Sequence, residues 1–382
     1  MERLISDRMF KKPVYGVIRS IFSRDLDAMD SSRGKRPFIR SLFLALALLC
    51  LLLPYGCSST NVNVREDETR GDKMPLIWPP PPEPARISYV MAISRPADIG
   101  AGKGFFRKVM EFILGESRDD IIKPYGVAVD SAGRLIVADT AFKRVHIFDI
   151  KKNKYSFIES AGEGTLESPI SAAIDAEDNI YVTDSVRRKV YVYGKDGRYL
   201  SEFEAGERPT GIAVNSRDKR VFVVDTGGNR IRVFDLKGKK ITSFGELGGG
   251  DGEFNFPVDI AIDRNGDLYV VDTMNYRIQI FDRNAKFVAK FGRQGDATGD
   301  FGRPKGVAVD GDGNIYVADA LFDTVQIFDR KGDFLLNFGS LGGDKGSFWM
   351  PCGVFADSMD KIYVADSYNG RVQVFEYIGG DI

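Results

Sequence analysis

A mark repeated six times constrains this chain more than any other feature. A proline stands at Pro124, Pro169, Pro209, Pro257, Pro304 and Pro351, at spacings of 40 to 48 residues. An aspartate follows fifteen residues after most of them, at Asp139, Asp184, Asp225, Asp272, Asp319 and Asp366. An aromatic then ends a third segment, at Phe148, Tyr193, Phe234, Phe281, Phe328 and Phe375. A period of this length belongs to repeat architectures, in which one unit buries its apolar face only against its neighbours.

Each unit divides into short strands. Gly306-Val307-Ala308-Val309 is a compact apolar run suited to a buried strand, and Asp310-Gly311-Asp312-Gly313 is hairpin-turn chemistry. Ile315–Ala318, Thr324–Phe328 and Phe334–Phe338 supply three more strands, the last ended by Gly339. Four antiparallel strands in about 45 residues make one blade of a β-propeller. The pattern resembles the NHL repeat over residues 119–382. The resemblance implies an all-β fold: a six-bladed β-propeller of four-stranded antiparallel blades, with the first strand of each at a central channel. The sixth unit lacks a fourth strand, and an open ring would leave an unpaired edge. The strand-like run Ile87–Ile93 lies outside the repeats and supplies the closing N-terminal strand. A short amphipathic helix is expected between Gly104 and Gly115, so that residues 85–118 hold the closing strand and that helix.

The first 57 residues read as an export segment. Ser41–Leu53 is an apolar run of 13 residues, too short to span a bilayer comfortably, behind Arg33, Lys35, Arg36 and Arg40. Gly56-Cys57 resembles a bacterial lipobox, in which the cysteine is acylated, although Pro54 stands where a leucine is usual. Met29 would give a signal of ordinary length, so translation is expected to start there or at Met1. By that resemblance, Ser58 after Cys57 implies lipid anchoring in the outer membrane, with a periplasmic or secreted protein as the alternative. Residues 58–84 are polar and then proline-rich, and read as a tether ending in a stiff spacer.

Counts narrow the chemistry. Lys and Arg total 53 against 54 Asp and Glu, so nothing draws the whole chain toward nucleic acid, and no nucleic-acid partner is expected. With one histidine, His146, and three cysteines, neither a histidine-rich metal site nor a zinc-ligand spacing is available. The acidic turns read as Asx turns rather than calcium loops, because no bidentate glutamate follows. The aspartates ending the second strands read as structural caps, five of them paired to a basic residue five places on. The slot after each proline that faces the channel reads Gly126, Ser171, Gly211, Asp259, Gly306 and Gly353. Asp259 is its single carboxylate and the one metal candidate.

No catalytic constellation and no cofactor are apparent. The expected working surface is therefore the loops between second and third strands and the linkers near them, through Phe142, Arg187, Arg188, Asn229, Tyr276, Phe322, Tyr368 and Trp349. The reading is a binding or scaffold module of the cell envelope, held to the membrane through Cys57, with an envelope protein or peptide as partner and the balance against an enzyme. The alternative is a calcium-dependent hydrolase or lyase, similar to gluconolactonase propellers, with its site in the channel.

Overall fold

The computed structural model describes residues 75–101, 119–359 and 361–379. The export segment with Cys57, the polar part of the tether and the expected helix at 104–115 lie outside the described residues. Among the described residues no helix is long and apolar enough to cross a membrane.

The repeats fold as six antiparallel sheets. Blade 1 comprises β3 (Pro124–Val129), β4 (Leu135–Asp139), β5 (Arg144–Asp149) and β6 (Lys154–Ile158). A two-stranded hairpin, β7 (Ser160–Ala161) and β8 (Gly164–Thr165), leads to blade 2: β9 (Pro169–Ile174), β10 (Ile180–Asp184), β11 (Lys189–Tyr193) and β12 (Tyr199–Glu204). Blade 3 is β13 (Pro209–Asn215), β14 (Arg220–Asp225), β15 (Arg230–Asp235) and β16 (Lys240–Phe244). Blade 4 is β17 (Pro257–Ile262), β18 (Leu268–Asp272), β19 (Arg277–Phe281) and β20 (Phe287–Phe291). Blade 5 is β21 (Pro304–Val309), β22 (Ile315–Asp319), β23 (Thr324–Phe328) and β24 (Phe334–Phe338). Blade 6 takes β25 (Pro351–Ala356), β26 (Lys361–Asp366) and β27 (Arg371–Tyr377) from the C-terminal end.

Blade 6 is completed as the sequence requires. β2 (Ile87–Ile93) pairs antiparallel with β27, from Ile87 opposite Tyr377 to Ile93 opposite Val372, and both isoleucines are fully buried. One more strand was not anticipated. β1 (Ile77–Trp78) pairs with β2, and Trp78, expected in a spacer, packs 5.7 Å from Phe375 and 6.0 Å from Phe338. The proline-rich stretch therefore leaves an already anchored strand.

The core consists of six apolar clusters, one between each pair of neighbouring blades. This is why second strands such as Ile-Tyr-Val-Ala-Asp are buried along their whole length: both faces meet another blade. The linker phenylalanines Phe254, Phe301 and Phe348 are wholly buried in these seams. Each ring lies where a Cβ on the glycine ending the preceding outer strand would sit. At Gly339 (φ 84°) that atom would stand 2.2 Å from Phe348.

The six repeated aspartates are fully buried and cap the rim, as expected of structural residues. Each accepts backbone N–H groups from the linker entering its own blade: Asp139 from Ile122 (2.7 Å) and Lys123 (3.2 Å), Asp319 from Gly302 (2.7 Å) and Arg303 (2.8 Å). Asp184, Asp225, Asp272 and Asp366 do the same at 2.7–3.1 Å. The expected pairing with the residue five places on holds in Asp272–Arg277 and Asp366–Arg371. Elsewhere Arg144 turns to Glu159, Lys189 to Glu202, and Asp225 takes Arg232 instead of Arg230. The amides satisfy the carboxylate already, so the cation is free to vary. The acidic hairpin turns are Asx turns. Asp310 Oδ1 accepts the amides of Asp312 and Asn314, both at 2.9 Å, ahead of Gly313 at φ 92°.

Candidate functional site: the central channel

The six inner strands enclose a cavity of about 270 Å³ on the propeller axis. Its wall is mostly Val, Ile and Ala, because alternate residues of an inner strand face the axis. The ring is narrow where the third residue of each strand lies. A Cβ on Gly126 would stand 2.6 Å from Ser171 Cα, one on Gly211 2.6 Å from Asp259 Cα, and one on Gly353 2.4 Å from the Tyr125 carbonyl oxygen. Glycine in these slots lets neighbouring inner strands touch, so Ser171 and Asp259 are the two side chains the waist admits.

Asp259 is the single acidic residue in the wall. The ring encloses it on every side, while part of its surface faces the channel void. Val307 N–H donates to its Oδ2 at 3.1 Å. Enclosure raises its carboxyl from the ordinary 3.8 to about 7, with the amides of Val307 and Ile260 pulling the other way.

Two neighbours share this environment. Lys305, also in the wall, has its ammonium pKa lowered first by enclosure, then by the Arg303 cation. Burial holds the Tyr125 phenol far above its ordinary value; Cys352 and Asp259 push the same way, and Arg208 and Arg303 oppose. Cys352 is a buried thiol, raised by burial and opposed by Lys305. Tyr125, Asp259, Lys305 and Cys352 come from blades 1, 4, 5 and 6, so the ring closure itself assembles the group.

A carboxyl titrating near neutrality, a partly desolvated ammonium and a protonated phenol can move a proton and stabilise an oxyanion. They do not fit calcium. Calcium takes six to eight oxygens, usually several of them carboxylate, and here one carboxyl, itself shifted toward its protonated form, faces glycines and alkyl side chains. Among the described residues no group of three or more His, Cys, Asp or Glu is arranged to hold a metal ion.

The residues expected to form a binding surface all lie on the face where the channel narrows, because each inner strand begins beside the end of the second strand, as in Pro124 opposite Asp139. They are spread one or two per blade. Trp349 and Tyr368 meet, with ring centroids 5.5 Å apart, and Lys123 Nζ stands 5.3 Å over the Tyr368 ring. Phe142 lies beside the Arg144 guanidinium, 5.3 Å away, and Arg187 bonds Glu167 at 3.2 Å. Arg188, Asn229 and Tyr276 occupy the left-handed turn position, at φ 61°, 50° and 52°, and Asn229 Oδ1 accepts the Phe256 amide at 2.9 Å. Phe322 is half-buried on its turn. His146 is fully buried in blade 1, with Nδ1 2.9 Å from the Tyr155 hydroxyl and Nε2 3.4 Å from Asp139 Oδ2. It lies outside the channel wall. Tyr125 and Lys305 were not anticipated from the sequence. Their signal was polar residues beside the glycine slot, at positions flanked by the repeated proline.

Comparison with known proteins agrees with this architecture. A family model described as a 6-bladed beta-propeller matches residues 101–205 and 211–278, and the NHL repeat model matches residues 348–375. The protein is a six-bladed β-propeller with a short NHL-repeat-like segment. It is 33% identical over 141 residues to protein brain tumor of Drosophila melanogaster, a match covering 35% of this chain and 13% of that relative. The chain thus spans about an eighth of that protein's length.

Among solved structures it is similar to an inactivated virginiamycin B lyase from Staphylococcus aureus with quinupristin, at 14% identity and TM-score 0.51, covering 69% of this chain and 97% of that one. It is similar to hydrazine synthase of Kuenenia stuttgartiensis, at 15% identity and TM-score 0.50, covering 69% and 99%. An auxiliary nutrient binding protein from Bacteroides thetaiotaomicron matches at 14% identity and TM-score 0.55, covering 68% and 71%. Identities this low establish the fold. They nevertheless correct the expectation that weighed against an enzyme. That expectation rested on the absence of an apparent catalytic constellation, and propellers of this fold include a lyase and a synthase by name.

Proposed function

We propose that the chain is a propeller enzyme of the hydrolase or lyase class working in the central channel. The observation that carries the reading is Asp259, a carboxyl raised to about 7 in an enclosed cavity whose wall also includes Lys305 and Tyr125. A group titrating there takes up and returns a proton at neutral pH. Lys305 is placed to stabilise negative charge developing on a substrate oxygen, and the Tyr125 hydroxyl remains a donor throughout the working range. The aliphatic side chains of the inner strands lower the local dielectric, which strengthens each of these interactions. The single histidine is committed to blade 1, so proton transfer falls to the carboxyl. The order of residues 33–57 further supports an exported chain acylated at Cys57 and held at the outer membrane.

The test is turnover of a panel of lactones, esters and acids bearing a β-leaving group. At least one class is expected to be processed, with a limb of the pH–rate profile near 7 that Asp259→Asn abolishes. No turnover in any class, or turnover in Asp259→Asn equal to the parent chain, refutes the reading.

A further inference from the structure

The channel mouth carries a charge pattern that the acid–base reading does not use. The residue before the inner-strand proline is Lys123 in blade 1, Arg208 in blade 3 and Arg303 in blade 5. All three are exposed, and Lys305 lies just inside them in the wall. No ion pair engages any of the four among the described residues. Their positions are fixed, because the backbone amides of Lys123, Arg208 and Arg303 are the ones held by the buried aspartates Asp139, Asp225 and Asp319. They converge electrostatically: Arg208 and Arg303, from blades 3 and 5, both act on Tyr125 in blade 1. The nearest acid in sequence, Glu207, is exposed and makes no ion pair with Arg208 among the described residues. A chain of net charge −1 thus gathers at one opening four basic side chains that make no ion pair among the described residues.

The same face is apolar outside that centre. Ile122, Val186, Phe256, Leu321, Trp349 and Tyr368 are each 46–65% exposed there, whereas the large exposed apolar residue of the opposite turns is Met359. Exposed apolar groups collected on one face mark a binding surface more often than chance scatter does.

We propose that the mouth of the channel recognises a small organic anion, a carboxylate or phosphate carried on an apolar body, with the anionic group held by Lys305, Arg208 and Arg303. This names the substrate class of the proposed activity and rests on the channel being the working site. A small molecule fits better than a membrane surface, because the cations ring a concave opening that continues into a cavity of about 270 Å³. Guanidinium groups suit the planar or tetrahedral oxygens of such a head group.

The experiment is calorimetric titration of the full chain with benzoate, phenyl phosphate and the neutral benzyl alcohol. Both anions are expected to bind and benzyl alcohol to bind at least tenfold more weakly. Raising salt from 50 to 500 mM is expected to weaken the anions only. Lys305→Met and the double variant Arg208→Gln/Arg303→Gln are expected to lose at least tenfold in anion affinity, with melting curves like the parent. The salt response and the neutral analogue decide the matter even where a variant misfolds. Equal binding of benzyl alcohol, or anion binding indifferent to salt, overturns the proposal. So does chain binding to phosphatidylglycerol vesicles that benzoate does not displace, which would make the face a membrane contact. Asp259→Asn separates this proposal from the catalytic reading, since it is expected to keep anion binding and lose turnover. Anion binding without turnover of any panel compound sinks the activity alone, and turnover of neutral substrates with no anion preference sinks the anion site alone.

Discussion

Asp259 makes the stability of the ring depend on pH in an unusual direction. Its carboxyl is raised to about 7 in the folded chain, against 3.8 for the free side chain. Below pH 4 both folded and unfolded chains carry the proton and the residue costs nothing. Between about pH 4 and 7 the unfolded chain releases its proton while the folded chain keeps it, so stability falls as pH rises. Above 7 the full penalty is present, and it stays constant. The shift corresponds to about 4 kcal/mol, and water in the channel relaxes part of it, so a working figure is about 2–4 kcal/mol. Asp259→Asn removes the ionisable group and keeps an oxygen for the Val307 amide at 3.1 Å. Urea denaturation of both proteins from pH 4 to pH 8 is the assay. The two midpoints should nearly coincide at pH 4 and separate progressively toward pH 8, with the asparagine variant the more stable. A constant difference across that range, or a parent chain that gains on the variant as pH rises, would refute the enclosure argument and with it the assignment of a proton-carrying role.

Three further perturbations address the ring and its attachment. Gly353→Ala places a Cβ 2.4 Å from the Tyr125 carbonyl, so it should destabilise the ring by about 1–3 kcal/mol, seen as a lower melting temperature; an unchanged melt would mean the waist is looser than described. Ile87→Ala empties a fully buried site in the closing strand and should cost about 2–5 kcal/mol with a rise in aggregation, whereas the same change at half-exposed Val90 should be nearly neutral. Cys57→Ser should move the protein from the detergent phase to the aqueous phase on phase partitioning, and an unmodified mature N-terminus downstream of Cys57 in mass spectra would remove the lipid anchor from the account.

The architecture was readable because a propeller writes the same local rules six times. The proline opens an inner strand, the aspartate caps the linker beside it, and the aromatic fills the seam to the neighbouring blade. Any one of these is ambiguous, and their constant offsets are not. The closing strand followed from counting, since Phe375 is succeeded by too few residues for a fourth strand. Trp78 escaped because its strand partner, Ile87, lies in β2 and its packing partners, Phe338 and Phe375, are about 260 and 300 residues away in sequence, so no local pattern pointed to them. The cation expected opposite each aspartate failed in three blades for a related reason. Amides of the linker saturate the carboxylate, and nothing local then decides where the long basic side chain turns.

The channel was half legible, and the missing half explains why the enzymatic reading stood as the alternative. Asp259 is conspicuous in the sequence because it interrupts the small residues, mostly glycine, of the slot after each repeated proline. One carboxylate in six slots is thin evidence for calcium, whereas the proposed proton transfer needs no more than one. A metal needs several oxygens converging on one point, whereas a general acid or base needs one ionisable group whose pKa the surroundings have moved. That movement comes from enclosure by inner strands of other blades, so it exists only once the ring has closed. Lys305 and Tyr125 were invisible for the same reason: a lysine two residues after Arg303 and a tyrosine two after Lys123 read as ordinary surface residues until the fold turns them inward. The repeat therefore hides its site in the way it reveals its fold. Symmetry makes the shared residues conspicuous, and the proposed chemistry falls to the few slots, from Asp259 to Lys305 to the cations at the mouth, where blades depart from one another.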